Sequence, residues 1–537
     1  MLRGRRCGRI TNSQASWRGI EFRRLVSLPV TQRNAHRIHR EGTRLTELVD
    51  EQVKCALDPY TKVLLPAVLA FCTWSSIAAA DDVLQTANQS LPEASIARSL
   101  PVTGDPFDFR TRLAEVGITY GVKFTGEVLG NPTGGIKRGS AYDGLVSAFL
   151  DIDYEKLAGF KGLSGHVSGY QIHGTGHVTK DNLGSLVAAS NIEALNGTLL
   201  FEAWLEQKLA SGKLAIRYGQ LAADQEFLIS DTAGPFVANT FGWAVLPSID
   251  LPSGGPAYPL ATPGVRIRFD PTEQLAALLA IYNGDPAAPG EGDQQERDPN
   301  GLAFRLKDPP LLLGEMQWKH GQQSNARELP GVIKVGGWYH FGKFVDQRLS
   351  SDGLSLADPA SLGEPAKRRG NFAIYGVVDQ QLYRSPGGVG KTGASSFARI
   401  VAAPSDVNFV DFYADMGLVF SGFVPGRPDD SFGVALGYSR VSDSARDRDR
   451  DAVAFGTGSV VHNHETIFEV NYQAQVSSGW TVQPWFQYIW SPSAPDDTLA
   501  IENASVLGFR TSVSYIKGSP HWCRLVGSRP TAELDCE

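Results

Sequence analysis

The chain has 537 residues, of which 20 % are charged and 10 % aromatic, with 57 Gly and only 3 Met. Its formal net charge of −7 gives no electrostatic case for nucleic acid or an acidic surface as a partner. A mean hydropathy of −0.16 resembles that of a water-soluble chain, yet a membrane is not excluded, because a β-barrel needs only alternate residues to be apolar. The five cysteines are Cys7, Cys55, Cys72, Cys523 and Cys536. A cysteine-built metal centre or a disulfide framework is therefore excluded from everything between Cys72 and Cys523.

In chain order, the first fifty residues hold eleven Arg and no Lys, without clear periodicity. Residues 62–80 then read Lys62, VLLPAVLAFCTWSSIAAA, with Asp81 and Asp82 after them. A basic residue, a short apolar run and the small-residue site Ala78-x-Ala80 form the pattern of a secretory signal peptide. Its strongly apolar part, Val63 to Phe71, is about half of the ~20 residues a spanning helix needs. Such a leader belongs at an N-terminus, so 1–61 is expected to be an upstream mis-translated segment, with Val53 as a candidate start. Residues 81–116 are expected to be an N-terminal periplasmic segment, and 117–515 a β-barrel.

From 117 onward the text has period two. Ile118, Tyr120, Val122, Phe124 and Val128 alternate with Thr119, Lys123, Thr125 and Glu127. Successive strand side chains point to opposite faces, so one face is oily and the other wet. Phe201, Ala203 and Leu205 oppose Glu202, Trp204 and Glu206 in the same way. Val265, Ile267 and Phe269 oppose Arg266 and Arg268. Phe468, Val470 and Tyr472 oppose Glu469, Asn471 and Gln473. The run Trp480–Trp490 and the run closing on Tyr515 repeat the pattern. Residues 131–135, 284–301, 353–370 and 442–450 read as loops. Runs of about ten residues suit a tilted spanning strand, and aromatics at their ends (Trp480, Tyr488, Trp490, Tyr515) suit membrane interfaces. About seventeen candidate strands lie between Gly117 and Tyr515. Bacterial single-chain barrels take an even number, so the fold class expected is an all-β, transmembrane antiparallel barrel of sixteen strands.

Several motifs imitate chemistry. Gly387-Gly388-Val389-Gly390-Lys391-Thr392 resembles a phosphate loop, but Ser385 stands where the motif needs its first Gly, and 395–403 reads as β rather than as the required helix. His462-Asn463-His464-Glu465 lacks the remaining ligands of a metal site and reads as a solvated loop entering a strand. Asp151 and Asp153 share a face as a glycosidase pair would, but acids are common on a wet face. No nucleophile elbow or zinc-protease helix motif appears. After Tyr515 alternation stops, so 516–537 is expected to be an aberrant or disordered tail.

Longer strings then bring a family into view: GITYGVKFTGEVLGNPTGGIKRGSAYDG (117–144), HVSGYQIHGTG (166–176), FEAWLEQKLASGKLAIRYGQLAADQEF (201–227), LPSGGPAYPLATPGVRIR (251–268), WYHFGKFVDQR (338–348), GLSLADPAS (353–361) and VPGRPDDSFGVALGYSR (424–440). Together they resemble the carbohydrate-selective porin family, whose glucose-induced members are outer-membrane channels. The resemblance covers nearly all of 101–515. It implies a sixteen-stranded barrel narrowed by inward-folded loops, with charged residues that favour sugars. Family members often carry Trp-Gly-Gly after Thr-Gly-Asp, whereas Thr103-Gly104-Asp105 is followed here by Pro106-Phe107-Asp108. The family chain also normally ends at the aromatic that Tyr515 matches.

The function expected is passive diffusion of small solutes, selectively of carbohydrates such as glucose, across the bacterial cell outer membrane. Parity of the wet faces nominates Lys123, Glu127, Glu202, Trp204, Glu206, Arg217, Arg266 and Arg268 as pore-lining, sugar-contacting candidates. The Trp204 face is expected to stack on pyranose CH groups, and Glu202, Glu206 and Arg217 to hydrogen-bond hydroxyls. No catalytic group, metal or other cofactor is expected. The partners expected are outer-membrane lipid and permeating sugars, with no nucleic acid and the oligomeric state left open. The alternative is a general, non-selective porin, and a more distant one is a secreted β-rich lectin or glycosidase.

Overall fold

A strand with one oily and one wet face needs a different solvent on each side, and an unpaired sheet edge cannot face hydrocarbon. The computed structural model describes residues 95–100, 104–290, 292–322, 328–385, 392–494 and 500–516. Among them, a closed sheet of sixteen antiparallel strands meets both demands. The first eight are β1 (Ile118–Gly135), β2 (Gly139–Asp153), β3 (Leu163–Gly174), β4 (Gly197–Leu209), β5 (Leu214–Leu221), β6 (Thr262–Phe269), β7 (Leu275–Asn283) and β8 (Pro310–His320). They are followed by β9 (Gly331–Ser350), β10 (Pro365–Arg384), β11 (Gly393–Ala402) and β12 (Val410–Ser421). The last four are β13 (Ser431–Val441), β14 (His464–Ser477), β15 (Trp480–Trp490) and β16 (Glu502–Ile516). Each pairs with its sequence neighbours, and β1 closes on β16 with Gly121 opposite Ile516 and Glu127 opposite Arg510. The fold is the antiparallel barrel that the alternation predicts.

The two faces separate as the sequence reads. In β6, Val265 is 40 % exposed on the outside while Arg266, beside it, is 2 % exposed on the inside. Val335, Ile374, Met416, Leu507 and Phe509 are all more than half exposed. That apolar belt is a lipid-facing surface, because water would penalise so much contiguous exposure. Among the described residues no helix is long and apolar enough to cross a membrane. The connections are very unequal. Residues 210–213, 270–274 and 478–479 are tight turns at one end, while 175–196, 222–261, 284–309 and 442–463 are long connections at the other. Short turns mark the periplasmic end of such barrels and long loops the extracellular end.

Four readings of the sequence need correction. Phe201 is not on the lipid face: it is 0 % exposed, with its ring centroid 4.7 Å from that of Tyr170 inside the barrel. The cause is a β-bulge. Val167 pairs with Ala203 and Gly169 with Leu200, so Phe201 and Glu202 both stand opposite Ser168 and the parity of β4 slips by one. Residues 131–135 belong to β1 and 365–370 to β10, because strands continue through their Gly and Pro at register shifts. Residues 442–450 are the start of a helix, Asp443–Phe455, capped by the Ser442 side chain, which accepts from Ala445 N at 3.2 Å. Finally, β16 runs one residue past Tyr515, and Ile516 N donates to Ser95 Oγ at 3.3 Å.

Residues 1–61, the leader at 62–80, 517–537 of the tail and 386–391 of the glycine-rich run lie outside the described residues. The element directly after that run is β11 and not a phosphate-binding helix. In the N-terminal segment, Phe107 and Asp108 have φ of 59° and 55°, a left-handed conformation that glycine adopts freely. They stand where the resembling family carries its two glycines.

Candidate functional site

Two extracellular connections fold into the barrel and narrow it. Connection 175–196 buries Leu183, Val187 and Ala189, and connection 222–261 buries Phe227, Val237 and Phe241, all at most 2 % exposed. A loop placed there must still satisfy its backbone, and wall side chains do this. Glu465 of β14 accepts from Ser185 Oγ at 2.7 Å, Leu186 N at 2.8 Å and Val187 N at 3.0 Å. Four residues along the same strand, Glu469 accepts from Val237 N and Ala238 N, both at 2.8 Å. Glu315 of β8 takes Leu228 N at 2.9 Å, and Asp379 of β10 takes Ser230 Oγ at 2.6 Å. Arg399 of β11 pairs with Asp415 and donates to the carbonyls of Leu228, Thr240 and Gly242 at 3.1, 2.7 and 2.8 Å. The two connections also bond each other, Asn191 N to Val237 O at 2.8 Å and Asn239 N to Ala188 O at 3.0 Å.

On the wall formed by β3 to β6 lies a charged network. Arg217 Nη2 is 2.9 Å from Glu206 Oε2, and Arg217 Nη1 is 3.3 Å from Glu226 Oε1. Arg266 Nη2 is 2.9 Å from the same Glu206 oxygen, and its Nε is 2.6 Å from Glu226 Oε2. These side chains are at most 8 % exposed. Desolvated charges of this kind hold only if each is paired with good geometry, as here. The two guanidinium and two carboxylate groups sum to no net charge, with Glu202 as a further carboxylate beside them. Arg266 Nη1 finds no acceptor among the described residues. A buried donor left so costs about 1–3 kcal/mol, and because the atom is closed to solvent here, a solute oxygen or water relieves that cost only where the neighbouring side chains part to admit it.

The nominated residues fall into groups. Trp204, Glu206, Arg217 and Arg266 meet in this network. Glu202 faces inward beside them and accepts from Ala222 N at 3.0 Å, anchoring the start of connection 222–261. Glu127 lies at the β1–β16 seam and accepts from Arg510 Nε at 2.8 Å, while Arg510 also donates to Ser190 Oγ at 3.1 Å. Lys123 faces inward, 6 % exposed, on the same strand as Glu127. Arg268 is not brought to the network, because it pairs with Asp270 at 2.8 Å at the end of β6. Trp204 is not free to stack on a solute. The Arg217 guanidinium lies 3.8 Å from its ring centroid, and the His166 ring stacks 5.0 Å from it. β3 carries His166 and β5 carries Arg217, on either side of β4, so both faces of the indole are taken.

Glu226, which the sequence reading omits, sits in a connection without periodicity, so no parity signal could find it. The motif 462–465 does enter a strand, β14 from His464, but of its four residues only Asn463 is exposed. His462 pairs with Asp449 at 2.9 Å, and Glu465 is the loop clamp, 1 % exposed. Asp151 holds His166 at 2.5 Å, and Asp153 caps the helix Tyr154–Ala158, so the two acids serve separate structural ends.

A closed sixteen-stranded barrel with a lipid-facing belt, a polar interior and loops folded into it is the architecture of an outer-membrane porin. Residues 137–515 match the family described as carbohydrate-selective porin, OprB family, and the chain belongs to that family. It is 25 % identical over 438 residues to Porin B of Pseudomonas aeruginosa, an alignment covering 78 % of this chain and 92 % of that one. The fold is similar to the high-pH structure of Pseudomonas putida OprB, with a TM-score of 0.67 and 21 % identity over 77 % of this chain and 97 % of the other. The protein is thus a carbohydrate-selective porin of the bacterial outer membrane.

Proposed function

We propose that sugars cross this channel by exchanging hydration water for the Arg217–Glu206–Arg266–Glu226 network, and that they emerge chemically unchanged. The observation that carries this reading is the interleaving of two guanidinium and two carboxylate groups on one wall, with Arg266 Nη1 left as a donor in want of an acceptor among the described residues. A ring of one sign would favour ions of the other. Balanced charges favour neutral solutes that both donate and accept hydrogen bonds, and a sugar hydroxyl does both. Weak, multiple contacts also suit conduction, because the solute must leave as readily as it arrives.

The test is single-channel current in planar bilayers during titration with glucose. Saturable block is expected, weakened about tenfold or more in Arg266→Gln, since a hydrogen bond to a charged group contributes roughly 1.5–3 kcal/mol. Current that falls only in proportion to solution viscosity, in the native protein and the variant alike, would identify a general porin instead.

A further inference from the structure

At the extracellular end, β9 and β10 run 20 residues each, about twice what a tilted strand needs to span. The surplus carries a cluster of cations on its outward face. Tyr339 and Phe341, whose ring centroids are 4.7 Å apart, mark the aromatic girdle on β9, and Phe372 stands opposite Tyr339 on β10. Two residues beyond Phe341, about 7 Å along the strand, comes Lys343. Arg369 is its cross-strand partner, and Lys367 pairs with Val345 one step further out.

Arg368 fixes the orientation of these residues. Its guanidinium is held by Asp346 at 2.8 Å, and Asp346 is 3 % exposed on the inward side, so Lys367 and Arg369 must point the other way. Lys343, Lys367 and Arg369 are all exposed, and none has an ion pair or side-chain hydrogen bond among the described residues. The nearby acids Asp346 and Asp352 are already committed, the first to Arg368 and the second to Leu354 N and Leu362 N at 3.0 and 2.8 Å, while Glu364, exposed at the tip of the hairpin, offsets one of the three cations.

Three cations just above an aromatic girdle, facing outward and with no partner among the described residues, sit at the level of outer-leaflet headgroups. We propose that this face of the β9–β10 hairpin binds the phosphate groups of a phosphorylated outer-leaflet lipid. The site is separate from the lumen and does not depend on how sugars cross it. It would fasten the long hairpin, which leans on neighbouring loops through Gln347 N to Asp406 O at 2.8 Å and Arg348 to Asp451 at 2.9 Å.

The experiment titrates the full chain, folded in a neutral detergent, with bisphosphorylated lipid A and with the same lipid stripped of phosphate, reading bound lipid by native mass spectrometry. The native protein is expected to prefer the phosphorylated lipid. The triple variant Lys343→Gln, Lys367→Gln, Arg369→Gln should bind it about a hundredfold more weakly, with no change toward the stripped lipid. Lys208→Gln with Lys213→Gln, at the opposite end of the barrel, should bind as the native chain does. Should the triple variant fail to fold, each single Gln substitution still reads, at roughly fivefold apiece. Native affinity in the triple variant or in all three single variants of the cluster, or no preference between the two lipids, overturns the proposal. So does displacement of the lipid by millimolar inorganic phosphate, which would mark a free-anion site.

Discussion

Trp204 lies directly beneath a guanidinium. Arg217 Cζ sits 3.8 Å above the indole centroid, and a desolvated contact of this type is worth about 2 kcal/mol. The ring limits where Arg217 can swing, and so sets how Glu206 and Glu226 are shared between the two arginines. This gives a test that separates support from direct stacking. If Trp204 only positions Arg217, then Trp204→Phe and Arg217→Leu should each weaken glucose block, and the double variant should be little worse than Arg217→Leu alone, since coupled residues are not additive. If the sugar stacks on the indole itself, Arg217→Leu uncovers a ring face and should strengthen the block. Arg217→Leu and Arg266→Gln, like any change at Glu226, remove one member of a buried paired cluster and cost about 3–5 kcal/mol, so block is compared only among variants whose heat-modifiable migration matches the native chain's.

The inward connections are held partly by themselves. Glu193 closes the first one by accepting from Thr179 N at 3.0 Å and Thr179 Oγ1 at 2.8 Å. Burial nevertheless outweighs those bonds and pushes its carboxyl up to about 8. An unfolded glutamate gives up its proton near pH 4.3. Between that value and about 8 the closed loop holds the extra proton, so its closure weakens as pH rises through this window and changes no further above it. Single-channel conductance should therefore rise from pH 5 to pH 9 as connection 175–196 loosens, and Glu193→Gln should remove the part of that rise that Glu193 carries; an unchanged pH profile in the variant would rule Glu193 out. The strands were legible beforehand because side chains alternate with period two, and lipid on one side punishes every error. Helix Asp443–Phe455 was not, since it buries no apolar stripe. It is instead held by the Ser442 cap, by Arg446–Asp443 and Arg450–Asp447 pairs along itself, and by Arg348 of β9 reaching Asp447 and Asp451. The site was half legible for the same reason. Glu206, Arg217 and Arg266 lie on the successive strands β4, β5 and β6, where parity marks the inward face, whereas Glu226 arrives on a loop whose path depends on amides met by Glu469 and Glu315 from distant walls.

The barrel is a layered object, with lipid outside, a hydrogen-bonded sheet, charged walls inside, and packed loops at its centre. β4 cuts through all of these layers, and its bulge means that one strand tests two of them. Leu205 lines an outward groove floored by Gly165 and Gly219, so Leu205→Arg places a charge in the bilayer at about 2–4 kcal/mol near the midplane and less toward the interface. Phe201 instead packs inside against Tyr170 and the buried Leu199, so Phe201→Arg strands a charge in a core already filled, at a cost above about 4 kcal/mol. Bilayer thickness tells the two apart. In vesicles of short-chain lipid an arginine at 205 reaches the headgroups more easily, so its folding defect should shrink, while the defect of Phe201→Arg should stay constant. Folding yield by heat-modifiable migration, in lipids of two chain lengths, reads both. Were the two defects to shrink together, Phe201 would be facing lipid, and the bulge opposite Ser168 would not turn it inward.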